Sequence, residues 1–368
     1  MIYLVDFIGV HSGMHYYLDA FKQILESIQG VKVGIVSNYS DNEEQPVFIN
    51  QYKGSKINKM VSAFKNLWRL DRFIASHKSD RFIYLTYGNI LDPLFLKVIS
   101  KAPYHCIDIH EALAQNEDSN LKLRKKLADL YTSRIKNVIS HSSRTDDYLI
   151  QFGYQGKKYD VPHFKYVFPR EYDLKSISKE MQDAVDKNKV NILFFGNITK
   201  EKGIDILLDA VNNLDDNDAK KINAIVAGKD IDGVYRSVNI RPDRNISFFT
   251  RYISDDELRF LYENVDFLAL PYRTTSQSGI LEMAFYFKKP IIASDIPYFK
   301  KMLTEFPSFG YLYGKNSDDF SNTIHRVLKH KTSDFFNKED YERYENRKEV
   351  NDFKNNFKTW LLTDKEKE

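Results

Sequence analysis

One cysteine in 368 residues, Cys106, leaves no partner for an internal disulfide and too few thiolates for a cysteine-based zinc site. A lone reduced thiol fits a cytoplasmic location. No run approaches the roughly 18–20 uncharged apolar residues that a spanning helix needs, so no membrane-spanning segment is expected. The opening MIYLVDFIGVHSG has no basic residue ahead of its apolar run, which Asp6 interrupts, and no secretory signal is expected there. No motif recurs with a period of roughly 20–50 residues and no tract is low in complexity, which sets solenoids and propellers aside. The nine histidines show neither HExxH nor paired spacing. The run Asp215-Asp216-Asn217-Asp218 reads as a helix-following loop rather than a strand-end Asp-x-Asp pair. No metal and no other cofactor is therefore expected.

What is present suits a sizeable core. The chain is 42% hydrophobic and 29% charged, which excludes disorder throughout and leaves room for two or three domains. Its net charge of +3 hides an asymmetry: residues 51–170 carry 21 basic and 11 acidic side chains. Such a field attracts anions such as phosphates, nucleic acid or an anionic membrane face, or it serves solubility alone.

Short apolar, β-branched runs alternate with helical patterning. IYLVDFIGV (2–10), VKVGIVS (31–37), RFIYLTY (81–87), YHCIDIH (104–110) and NVISHS (137–142) read as strands, with helices at 14–28, 59–75 and 121–135. After a polar stretch, 165–188, that reads as a linker, the alternation begins again. Strands are expected at 189–197, 222–228, 245–250, 266–272 and 289–295, and helices at 203–214, 255–265 and 278–287. The pattern predicts an α/β chain of two Rossmann-like domains facing a cleft, 1–168 and 169–345. A last helix over 346–362, with Val350, Phe353, Phe357, Trp360 and Leu361 on one stripe, is expected to return to the first domain, within a tail of 346–368.

Three strand-to-helix loops carry chemistry. Gly9-Val10-His11-Ser12-Gly13 can bring backbone amides close to an anion, or it is a plain tight turn. In Gly196-Asn197-Ile198-Thr199-Lys200-Glu201-Lys202-Gly203, a lysine opens a helix against the macrodipole. That placement is unfavourable without an anion there, so Lys202 is a phosphate contact or a surface lysine. In the third, Arg273 precedes Ser276-Gln277-Ser278-Gly279-Ile280, where Ser276 or Ser278 can cap a helix whose amides then bind an anion. Together the second and third loops suggest a diphosphate-bearing ligand.

As a set these segments resemble a known family. FFGNITKEKGIDILLDA, INAIVAG, RYISDDELRFLYENVDFLALPY, SQSGILEMAFYFKKPIIASD and FGYLYGKNSDDFSNTI resemble, in order, the carboxyl-terminal half of GT-B glycosyltransferases. The likeness is greatest to glycosyltransferase family 4 (group 1), in a divergent branch with a QSG loop. The first half is looser, with VHSGMHYYL, CIDIHEAL, NVISHSSRTDDYL and YDVPHFKY similar to that family's segments in order. The resemblance implies an enzyme of hexosyltransferase type that moves a sugar, with retention, from a UDP- or GDP-sugar to a glycan or lipid-linked acceptor in surface polysaccharide or glycolipid synthesis. It leaves nucleic acid out of the partners. Gly9, Gly13, Gly196, Lys202, Gln277, Ser278, Gly279 and Ile280 fall at positions that hold the donor diphosphate, and Arg251, Tyr252 and Ile253 at the segment that meets the base. His110 and Glu111 fall near the reacting sugar, although a histidine ending a strand also serves as a packed residue. His11, Asp108 and Glu111 are the candidates for a general base.

Two departures stand out. The family places an arginine after the glycine where this chain has Asn197, and Arg273 or Arg251 is the substitute. Its two glutamates eight apart fall at Thr275 and Met283, with Glu282 one residue out of register, a rotation of about 100° on a helix. A GT-B partner subunit without catalysis, or a GT-B nucleotide-sugar epimerase, is the alternative reading. The helix at 59–75 interleaves Lys59, Lys65, Arg69 and Arg72 with Val61, Phe64, Leu67, Trp68 and Phe73. The plainer expectation packs its apolar residues on the sheet with the basic ones outward; the other lays it on an anionic membrane.

Overall fold

In the computed structural model the apolar runs pair side by side, all parallel, in two separate sheets. Residues 1–10, 13–39, 47–50, 55–110, 121–166, 168, 171–314 and 316–362 are described. They fall into two units, one of Met1–Phe164 with Arg347–Glu368 and one of Lys165–Asn346.

The first unit contains β1 (Ile2–Val5), β2 (Val33–Val36), β3 (Arg81–Thr86), β4 (Tyr104–Ile109), β5 (Asn137–Ser140) and β6 (Lys157–Asp160). They lie in the order β2-β1-β3-β4-β5-β6. Phe82, Ile83, Tyr84 and Leu85 on β3 are all fully buried. Burial on both faces is why the strand reads as an unbroken apolar run rather than an alternating one. The last helix, Lys348–Leu362, belongs to this unit. Phe357 meets Tyr159 of β6 edge to face at 4.8 Å, and Arg81 donates to the Leu361 carbonyl at 2.9 Å. The tail's apolar stripe thus anchors the chain's end where the sequence placed it.

The second unit contains β7 (Val190–Phe195), β8 (Ile222–Ala227), β9 (Ile246–Phe249), β10 (Phe267–Leu270), β11 (Ile291–Ser294) and β12 (Gly310–Tyr313). The order is β12-β11-β10-β7-β8-β9, so the chain steps outward from β7 to β9, then crosses back to β10 and steps outward the other way. Strand order therefore reverses between β7 and β10, and the crevice beyond such a reversal is where open α/β sheets bind ligands. The first unit reverses in the same manner between β1 and β3.

The structure adds the helices Asp92–Ile99, Ser143–Gln151, Pro297–Glu305 and Ser317–Val327 to the sequence reading and departs from it elsewhere too. Edge strands β6 and β12 were not foreseen, and β6 (KKYD) buries only Tyr159. The stretch read as a linker is folded into the second unit, where Ile177 and Met181 are buried and Arg259 donates to the Phe168 carbonyl. Among the described residues no helix is long and apolar enough to cross a membrane.

Gly203 joins the second unit's two central loops. Its φ is +67°, and a Cβ there would stand 2.0 Å from the Pro271 carbonyl oxygen. Gly233 has a similar φ of +70° with nothing within 4 Å. Gly233→Ala should cost about 1–2 kcal/mol from the dihedral alone. Gly203→Ala, which must also move backbone, should cost clearly more. Urea unfolding of the two variants checks this, and equal midpoints would contradict the close approach.

Candidate functional site

Parallel register builds the first unit's polar cluster. Thr86 pairs with Ile109, and Ile109 with Ser140. The residues one step further, Tyr87, His110 and His141, therefore stand side by side at the carboxyl ends of β3, β4 and β5. The Tyr87 and His110 rings stack at 5.6 Å, and those of His110 and His141 lie 5.1 Å apart. His163, beyond β6, adds a third imidazole 5.8 Å from His110. Tyr17, on the helix Met14–Glu26, meets His110 edge-on at 4.2 Å. Glu111 and His11 lie outside the described residues.

Asp108 organises this cluster. The carboxylate is fully buried, with Oδ1 2.6 Å from His141 Nε2 and Oδ2 accepting from the Tyr17 hydroxyl at 2.6 Å. His141 Nδ1 lies 3.0 Å from the Val161 carbonyl, so each ring nitrogen faces an acceptor. Burial pushes the Asp108 carboxyl upward, but His141, His110 and the two hydrogen bonds outweigh it and hold it below the usual range. Burial also drives His110 down to about 4, against the pull of Asp108 at 3.8 Å, and holds His163 well below its ordinary value. His110 is thus a neutral hydrogen-bonding group at pH 7. Among the described residues, Asp108, His110 and His141 form the one group placed to share a metal, their ligand atoms within 4.8 Å of one another. Of the carboxylate oxygens, Oδ1 meets His141, itself one of the three, and Oδ2 is held by Tyr17.

The loop after β1 is braced from below. Asp6 accepts from the amides of Ile8 and Gly9 and from the Tyr87 hydroxyl at 2.8 Å, while the Val10 amide donates to Asn38 at 3.2 Å. The Ile8, Gly9 and Val10 amides are therefore satisfied internally. Gly13 caps the helix that follows.

In the second unit the loops after β7 and β10 converge. Gly196, with φ +101°, ends β7, and a Cβ there would lie 3.0 Å from Lys202 Nζ and 3.3 Å from Ile280 Cδ1. Glycine is what lets these two side chains close over the strand end. Ser278 caps the helix Gly279–Tyr286, its hydroxyl accepting from the Leu281 amide at 3.3 Å. The Gly279 and Ile280 amides, first-turn donors with no acceptor inside the helix, have no partner among the described residues. Gln277 is half-buried just ahead of the cap. Lys202 is half-buried at the start of the helix Ile204–Asn212, 5.3 Å from the Tyr272 ring, with no carboxylate in ion-pair range among the described residues.

The two arginines are engaged elsewhere. Arg273 forks onto Asp205 and donates to the Lys200 carbonyl, while its amide donates to Glu201 at 2.7 Å. It therefore ties the two loops together. Arg251 forks onto Glu257 at 2.6 and 2.8 Å, and Glu257 closes a capping box with Ser254. That pins the loop carrying Tyr252, which is 61% exposed and offers a ring face, and Ile253, which is buried. Asn197 is exposed. Glu282 is 1% exposed and accepts from the Tyr344 hydroxyl. Sequence reasoning missed His141, His163, Tyr17 and Tyr344 as members of these clusters. Two strands that each end in histidine were the available signal for the His110–His141 pair.

The neutral His110 has a consequence for stability. In the unfolded chain it titrates near 6.5, and in the fold at about 4. Between these values the unfolded state binds the extra proton, so stability falls as pH falls through the window. His110→Gln removes this term. Between pH 7 and pH 5 the wild type should lose about 2 kcal/mol more than the variant, read from urea unfolding at both pH values. Equal losses would show that the imidazole is not held neutral.

Residues 177–349 match the family described as glycosyl transferases group 1. A 41.2 kDa protein in the cps region of Klebsiella pneumoniae is 22% identical over 308 residues, 77% of this chain and 82% of that protein. Among solved structures, sucrose-phosphate synthase of Thermosynechococcus elongatus is similar over 98% of this chain and 96% of its own, with 15% identity and a TM-score of 0.64. HepE of Anabaena in complex with UDP-glucose matches over 98% and 99%, with 14% identity and a TM-score of 0.64. WaaG, a glycosyltransferase involved in lipopolysaccharide biosynthesis, matches over 98% and 100%, with 12% identity and a TM-score of 0.62. Two parallel sheets, each with a reversal of strand order, and the match over the second of them lead to one conclusion: the chain has the GT-B fold, and residues 177–349 are similar to the group 1 glycosyl transferases.

Proposed function

We propose that the protein transfers a sugar from a nucleoside-diphosphate sugar, UDP- or GDP-linked, to a glycan or lipid-linked acceptor in the synthesis of a surface polysaccharide or glycolipid. One observation carries the reading. At the reversal point of the second sheet, the Gly196 backbone, the Lys202 ammonium and the free first-turn amides of Gly279 and Ile280 converge. An anion there gains the helix dipole, two amide donors and a cation with no competing carboxylate among the described residues.

The chemistry follows from where charge develops. As the anomeric carbon–oxygen bond breaks, negative charge grows on the departing diphosphate. Fixed N–H groups and Lys202 stabilise it there more than in the ground state. These donors do the work that a divalent ion would otherwise do, so transfer is proposed to need no metal. Asn197 supplies no charge, and Arg273 and Arg251 act by bracing loops rather than as replacement phosphate ligands. Tyr252 is proposed to stack on the base. His110, neutral at pH 7 and titrating at about 4, is a poor general base. Its proposed role is to hydrogen-bond a hydroxyl of the transferred sugar, in keeping with retention. HepE's complex with UDP-glucose supports UDP as the nucleotide, and the cps-region relative and WaaG support a surface-glycan acceptor.

The test is release of nucleoside diphosphate from UDP- and GDP-sugars in the presence of candidate glycan and lipid-linked acceptors. Lys202→Ala should slow transfer by roughly 100–1000-fold, mostly in kcat, since the charge it meets is that of the transition state. Turnover that is unchanged in Lys202→Ala would refute the assignment. Nucleotide binding without turnover on any acceptor would favour the partner-subunit reading.

A further inference from the structure

The helix Lys56–Ser76 presents the wrong face to water. Ala63, Asn66, Leu70 and Ile74 are buried against the first unit, and Leu67 and Phe73 pack beside them. On the opposite side Ile57, Met60, Val61, Phe64 and Trp68 are 70%, 60%, 45%, 58% and 59% exposed. The plainer expectation, in which Val61, Phe64 and Trp68 pack inward and the basic residues alone face out, is overturned for these three. At 3.6 residues per turn the five lie within an arc of about 100°, a continuous apolar stripe some 16 Å long. Scattered exposed apolar residues are ordinary, but five large ones in register are not. Helix formation does not require them, because lysine or glutamate would serve as well at each position.

The charges around the stripe indicate what covers it. The helix carries five basic residues and one acidic one. That acidic residue, Asp71, is taken by Lys101 at 2.6 Å. Exposed Lys65 and Arg72 flank the stripe on one side, and the Arg72 guanidinium lies 4.9 Å from the centre of the Trp68 ring. A second copy docking face to face would set these basic flanks against each other at an unfavourable like-charge contact. An anionic lipid surface meets every feature: acyl chains for the stripe, the interfacial zone for tryptophan and phosphates for the flanking cations. We propose that this face seats the protein on an anionic bilayer, with Phe64 and Trp68 entering the boundary between headgroups and acyl chains and Lys65 and Arg72 meeting lipid phosphates. The proposal does not depend on the transferase reading.

Flotation of the full chain with vesicles tests it, using phosphatidylcholine alone and phosphatidylcholine mixed with phosphatidylglycerol. The wild type should float with the mixed vesicles, and less so as salt rises. Phe64→Ser with Trp68→Ser should lose roughly tenfold or more of that binding, while circular dichroism melting stays unchanged because both side chains are already exposed. Lys65→Gln with Arg72→Gln should erase the preference for phosphatidylglycerol. In a Trp360→Phe background, Trp68 fluorescence should shift to the blue on mixed vesicles and be quenched by brominated acyl chains. No flotation, or flotation untouched by the Phe64 and Trp68 substitutions, would overturn the proposal. So would a dimer in light scattering that those substitutions convert to monomer, since the face would then be a contact between copies.

Discussion

In a parallel sheet every strand ends at the same edge, so the residues one step past the strands are gathered without any sequence proximity. This constraint underlies both clusters. In the first unit it lines up Asp6, Tyr87, His110 and His141 from the ends of β1, β3, β4 and β5. In the second it sets Gly196, after β7, against the loop after β10, because the strand order reverses between them. The helices that follow then aim their unpaired amides at the space beyond the sheet. Glycine at 196 and 203 is the local requirement, since each permits an approach that a Cβ would block.

Burial of one carboxylate sets the electrostatics of the first cluster. Against its own burial, Asp108 is held below the usual carboxylate range by His141, His110 and the hydrogen bonds from His141 and Tyr17, while burial keeps the neighbouring His110 neutral against the pull of Asp108. In the second unit the acidic partners Asp205 and Glu257 hold the two arginines, which leaves Lys202 as the cation beside the free amides. Charge pairing therefore divides the basic residues between two roles. The arginines fix loop shape, and the lysine stands open to a ligand.

Much of this was legible in the residues. Buried strands read as apolar runs, the strand-to-helix loops announced themselves by glycine and a cap, and the tail's stripe gave its anchoring face. The edges were harder, because β6 is charged on its exposed positions and buries one tyrosine. Register-dependent neighbours were invisible as well: His110 and His141 meet only through pairing of β4 with β5, and Arg273 finds Asp205 across 68 positions of sequence. Periodicity showed that the helix Lys56–Ser76 is two-faced but not which face is buried. Ala63, Asn66, Leu70 and Ile74 lie on the face against the core, and Ile57, Met60, Val61, Phe64 and Trp68 are left outside, although both faces are apolar enough to have been buried.

The central claim is that the loops after β7 and β10 form one anion site. Hydrogen-exchange mass spectrometry with and without UDP or GDP tests it most directly, because it reads backbone amides rather than turnover. Nucleotide addition should slow exchange in two separated segments together, residues 196–204 and 277–282, with UMP giving much less. Protection of neither segment, or of one without the other, would contradict a shared site.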